Sequence, residues 1–211
     1  MKNRLLTAMA VSVLVVGAGF GGWSLASRVQ AAPEAPVVPL TWELSFKYQA
    51  PERIVLTVPG KTEPQTFWYF RYTVTNNTGK DLLFTPEFQL LTDTGQILTS
   101  GKNGANAAYD DIKKLYKGTL MDSPIQILGK LLQGDDNAKE SVAIFTGVET
   151  DARIYKFQVS GLSGDTAAVE NPLTHEKVVL RKTLVVTYEI PGQAIGIDPQ
   201  PQIKSTTWVM K

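Results

Sequence analysis

The chain contains no cysteine and a single histidine in 211 residues. Without a thiol there is no cysteine nucleophile, no thiolate-ligated zinc, no disulfide and no lipidated N-terminal cysteine. With one histidine, a nucleophile–histidine–acid relay would have to run through His175. Ser160 and Ser163 are nearby in sequence, but no Gly-x-Ser-x-Gly elbow carries either one, so His175 reads as an exposed loop residue. Charge of one sign is also lacking. Lys plus Arg number 21 against 20 Asp plus Glu, and Lys2, Arg4 and Arg28 fall in the first 31 residues, leaving 18 against 20. A remainder that close to neutral lacks the basic footprint nucleic-acid binding requires. There is no Gly-rich phosphate loop, no paired-carboxylate signature and no internal repeat. Glycosidase-type carboxylates leave no local motif, so a hydrolase with sequence-dispersed acids stays open as an alternative.

What is present is alternation. Between Thr66 and Thr99, Trp68, Phe70, Tyr72 and Val74 share one parity while Tyr69, Arg71, Thr73 and Thr75 share the other. Period two in aromatic and β-branched residues marks a half-buried strand, with the even-numbered set inward and Arg71, Thr73 and Thr75 outward. Asn76–Asp81 supplies turn chemistry, Leu82–Leu91 a second run with an edge or bulge at Pro86, and Gln96–Thr99 a third. Together they predict a β-meander. Trp42, Leu44, Phe46 and Tyr48 predict a first strand over Thr41–Tyr48, and Arg53–Val58 reads as the next. Glu140–Thr146, Arg153–Ser160, Lys177–Ile190 and Lys204–Met210 complete the set. Seven to nine short strands at this spacing predict an all-β antiparallel sandwich over residues 40–211.

Two segments depart from that pattern. Residues 1–31 carry an N-terminal positive charge, an apolar run and Val29-Gln30-Ala31 at the end, the layout of a signal peptide cleaved after Ala31. The run from 5 to 26 is also long enough to remain as an anchor. Either way the rest is expected outside the cytoplasm, periplasmic or secreted, and any membrane attachment would come only through that uncleaved segment. Residues 32–39 form a proline-rich tether. Around 104–134 the period turns helical. Tyr109, Ile112, Leu115 and Tyr116 predict one short helix, with Asn106 as its cap, and Pro124–Gln133 predicts a second. This two-helix insertion is expected to cover a sheet edge or present a surface. The second helix would leave an apolar patch, which places a docking envelope partner on Ile127 and Leu131 or their neighbours.

The phrases Tyr72–Gly79, Phe88–Gly95 and Val142–Phe145 resemble those of exported bacterial immunoglobulin-like β-sandwich domains of unknown function. The family includes the mycobacterial secreted immunogenic sandwich and related lipoprotein domains. The resemblance spans roughly residues 66–160 and implies an extracytoplasmic, non-enzymatic role in interaction or scaffolding, with no catalytic residues. The chain departs from the lipoprotein members in lacking the lipobox cysteine and in its helical insertion.

The remaining candidates are weak. Asp135, Asp136, Asn137 and Glu140 are the best oxygen-ligand cluster, but they lack the spacing of an EF-hand loop and read more simply as a polar turn. Asn76-Asn77-Thr78 matches a glycosylation acceptor, and Trp68, Tyr69, Phe70 and Tyr72 could suggest a sugar-stacking platform were they not alternating on one strand. No cofactor is expected.

Overall fold

A computed structural model describes residues 32–171, 173–191 and 200–211. The expected leader, with its cleavage site and anchor, lies outside the described residues. Antiparallel strands make up 48% of the chain, with one short α-helix among the described residues, so the protein is all-β. In chain order the elements are β1 (Ser45–Tyr48), β2 (Glu52–Leu56), β3 (Gln65–Thr75), β4 (Leu82–Phe84), β5 (Glu87–Thr92) and β6 (Ile97–Thr99). A 3-10 turn, Ala105–Ala108, leads into α1 (Tyr109–Leu115), followed by β7 (Gly129–Leu131) and a second 3-10 turn at Asp135–Asn137. The chain then forms β8 (Lys139–Thr146), β9 (Ile154–Ser160), β10 (Thr166–Glu170), β11 (Lys177–Glu189) and β12 (Gln202–Met210).

β3 is the centre of the smaller sheet. β1 and β2 share one of its edges, in registers Ser45↔Thr75 and Glu52↔Tyr69, and β8 takes the other with Trp68↔Phe145. The larger sheet runs β10–β11–β9–β5–β6, with β12 on the free side of β11. The alternation of β3 sends Trp68, Phe70, Tyr72 and Val74 into the space between the sheets, where all four are buried. There the rings meet the facing layer: Trp68 on Tyr155 and Phe70 on Phe157, both at 4.9 Å, and Tyr72 on Phe88 at 4.7 Å. Burying each such side chain is worth about 1.5–3 kcal/mol.

Four expectations are corrected. The meander does not form, because β3 pairs with neither β4 nor β5; within 66–99 the consecutive pair that forms is β5 with β6. Two local causes stand out. Thr85-Pro86 separates β4 from β5, as proline's missing N–H requires. The 76–81 loop is also tied elsewhere, because the buried Asn76 donates its side-chain amide to Lys80 O at 2.8 Å and Leu131 O at 3.0 Å.

The second helix is absent. Ser123 and Gln126 form a reciprocal capping pair, each backbone N–H donating to the other's side chain at 3.1 Å, and Ile127 N–H reaches Ser123 O. One turn is all that follows, since Gly129 takes φ 115° and the chain extends into β7 against β4. A four-residue spacing such as Ile127–Leu131 repeats on a helix face but equally on one side of a strand.

Finally, the outer face of β3 is covered. Phe67 and Tyr69 are buried with Val142 and Ile144 beneath Ala105, Ala108, Ile112 and Met121, making a second core, and Arg71, Thr73 and Thr75 are half-buried. The segment also occupies the outer edge of β8, with Gly101 N–H on Ile144 O and Asp122 N–H on Glu140 O. Asn106 does not cap α1; it lies within the preceding 3-10 turn.

Candidate functional site

Ile127 and Leu131, the residues expected at a docking patch, are each only 1% exposed and belong to the main core. The absent helix explains this. With one turn and a short strand in its place, both side chains point inward beside Phe84. The exposed apolar residues are their neighbours: Leu83 at 71%, Ile125 at 69%, Leu128 at 46% and Leu132 at 44%. Leu83 stands opposite Lys130 in the β4–β7 ribbon, and Leu132 follows Lys130 on the same parity. Ile125 and Leu128 line a shallow cleft of about 280 Å³ with Tyr72, Phe88 and Pro124. The ribbon is held firmly. Asp81 meets Lys130 Nζ at 2.8 Å and accepts Gln133 N–H at 3.0 Å, contacts that hold its carboxyl below the usual aspartate range. Gly79 N–H donates to Gln133 Oε1 at 2.8 Å.

The oxygen cluster is dispersed. Asp135 Oδ1 accepts from Asn77 at 2.9 Å, Asn137 donates to Gln133 O at 2.8 Å, and Glu140 faces Arg71 at 3.6 Å. Among the described residues no three His, Cys, Asp or Glu side chains converge as metal ligands. His175 sits exposed at φ 58° in a tight turn, its Nδ1 2.7 Å from Glu170. Asn76 is wholly buried with its amide engaged, so the glycosylation pattern is sterically closed. Trp68, Tyr69, Phe70 and Tyr72 are all buried, which removes the stacking platform.

The two ends of the layered body differ. At one end Lys182, 1% exposed, lies between Glu43 at 2.8 Å and Asp165 at 3.7 Å, beneath the ring of Trp208. Asp165 also accepts the backbone N–H groups of Leu40 and Thr41 and the Thr41 hydroxyl. Leu44 N–H donates to Leu162 O and Gly164 N–H to Trp42 O, so the segment after the tether is stitched to the 161–165 turn. Gly164 has no room for a side chain, since a Cβ there would meet the Trp42 indole and lie 2.7 Å from Thr41 Oγ1.

At the other end, about 23 Å away along the eight residues of β11 from Lys182 to Glu189, a cleft of about 510 Å³ opens over Trp68 and Tyr155. Arg53, Glu149, Asp151 and Arg153 line its rim. The Tyr155 hydroxyl donates to Ala152 O at 2.8 Å, and burial pushes its ionisation upward.

Sequence reasoning missed the Lys182–Asp165–Glu43 cluster. A signal was present: Arg181-Lys182 interrupts an otherwise apolar strand, and an ionisable side chain there needs a partner. Its partners, however, lie 17 and 139 residues away. Comparison with family models, with curated proteins and with solved structures finds no match to this chain.

Proposed function

We propose that the chain is an exported, non-enzymatic immunoglobulin-like β-sandwich that serves as a protein-interaction or scaffold module of the cell envelope. The immunoglobulin-like reading is supported by strand order. β1/β2–β3–β8 faces β6–β5–β9–β11, the arrangement of a sandwich whose consecutive strands cross between sheets. It is supported further by Tyr155, which opens β9 and returns its hydroxyl to the backbone three residues upstream, as the tyrosine at the corner of such folds does. Export rests on the charge and apolar layout of residues 1–31, and the proline-rich 32–39 segment spaces the domain from that leader.

The observation that carries the interaction role is the exposed apolar surface of Leu83, Ile125, Leu128 and Leu132, mounted on a ribbon whose inner side, Phe84, Ile127 and Leu131, is fixed in the core. Exposed apolar surface on a rigid support marks protein contact sites. A photo-crosslinking amino acid at Leu83 in the full chain, expressed in its own host, tests this. A discrete adduct is expected from Leu83 and lost with Leu128→Asp plus Leu132→Asp, while a probe at the exposed Lys177 gives none. Absence of any adduct from a folded, exported chain would overturn the reading.

A second reading, an envelope hydrolase, draws on Glu149 and Asp151 at the 510 Å³ cleft. Its test is loss of hydrolysis of envelope glycans in Glu149→Gln or Asp151→Asn.

A further inference from the structure

We infer that β12 is a self-pairing edge, through which two copies of this chain join their larger sheets antiparallel about a two-fold axis at Thr207. The surface is independent of the β4–β7 ribbon.

β12 is bonded to β11 on one side and to no described strand on the other. Arg181 and Lys211 exchange both of their backbone hydrogen bonds, at 2.7 and 3.0 Å. In an antiparallel ladder such pairs recur every second residue, so Val209, Thr207 and Ser205 also point their N–H and C=O groups at β11. Thr206, Trp208 and Met210 therefore direct theirs outward, and no described residue meets them.

The other free edges are shortened or broken. β6 has three residues, β10 five, and β1 and β2 are four and five residues interrupted around Pro51. β12 has nine, with no proline among them. Its one charge, Lys204, is occupied by Glu189 at 2.7 Å and so guards the edge poorly. Lys204 also sits at the irregularity in the β11–β12 register, which leaves Ser205–Met210 as the regular stretch.

Placed antiparallel about Thr207, two copies match well. Thr206 faces Trp208 of the second copy, and Trp208 faces its Thr206. The outward N–H and C=O groups of Thr206 and Trp208 in both copies fall in register as hydrogen-bonded pairs, and Met210 comes opposite Lys204, where the ladder ends. Thr207 meets Thr207 and Trp208 meets the β-branched Thr206, both favourable cross-strand pairs, and no like charges are opposed. The irregularity at Lys204 ends the ladder on each side. The contact is isologous and closes as a dimer instead of propagating.

The absence of native cysteine makes the test direct. Cells expressing full-length Thr207→Cys are oxidised and run without reductant, beside Ile203→Cys. Residues opposite at the axis lie about 4.5 Å apart at Cα, within disulfide reach, whereas position 203 is eight residues out of register with its copy. A dimer from Thr207→Cys and monomer from Ile203→Cys is the expected result. Thr206→Pro, which deletes an outward N–H and no bond to β11, should abolish the Thr207→Cys crosslink. Monomer at Thr207→Cys, equal crosslinking at 203, survival of the crosslink with Thr206→Pro, or a disulfide to a different protein would each overturn the proposal.

Discussion

Asp165 accepts the backbone N–H of Thr41 at 2.8 Å across 124 residues of intervening chain. Burial by itself would raise this carboxyl. The Thr41 hydroxyl, the N–H groups of Leu40 and Thr41 and the Lys182 ammonium outweigh it and hold the group below the usual aspartate range. A depressed carboxyl contributes stability that is present above the ordinary value of about 3.9 and is lost as pH falls below it. Acid unfolding of the wild type should therefore steepen below about pH 4, and Asp165→Asn should flatten that limb. Asp165→Ala should cost about 3 kcal/mol at pH 7, the low end for a broken buried pair, since Glu43 still faces Lys182. Denaturant titrations at several pH values measure both.

Gly164→Ala tests the seat of the same segment. The added methyl collides with Trp42 and Thr41, so residues 40–44 should lift while the sheets stay intact. Faster amide exchange at Leu44 and Gly164, with β9 and β11 unchanged, is the expected pattern.

Trp68→Ala should destabilise the chain by about 3–5 kcal/mol, as other large-to-small core changes do, because it removes the ring packed on Tyr155. Equilibrium denaturation gives the number. A cost under 1 kcal/mol would contradict its place in the core.

At high pH the buried tyrosines matter. Burial raises Tyr69, Tyr72 and Tyr188 above the usual tyrosine value. Their un-ionised forms therefore support folding up to about pH 10, and that support is lost as pH rises further. Among the described residues the Tyr188 hydroxyl has no hydrogen-bond partner, so Tyr188→Phe should leave neutral-pH stability unchanged or slightly raised and push alkaline unfolding to higher pH. Absorbance of tyrosinate against circular dichroism follows the two events.

Intact mass of the exported protein should begin at Ala32. A species beginning at Met1 would instead make residues 5–26 a retained anchor.

The sequence made the strands legible where one face is buried. Trp68, Phe70, Tyr72 and Val74 were readable because period two encodes a face. The partner of each strand was not readable, because pairing depends on where turns tie down, and Asn76 ties its loop to Leu131 through a buried side chain no local pattern reveals. The parity of Tyr69 and Arg71 does not face water for a related reason: alternation assumes one wet face, and Ile112 and Met121 cover it. At the candidate site the apolar residues were identified but their direction was inverted, since Ile127 and Leu131 keep the same spacing in either backbone conformation.

Lys182 joins Met210 in the ladder and Glu43 through its ammonium, so the two ends of the folded body leave from one pole. Tension applied between residue 40 and residue 211 would pull neighbouring segments apart crosswise, loading their bonds one after another instead of together. The domain should then open like a zip at low force, beginning at Thr41 and Asp165, with the aromatic layers still closed.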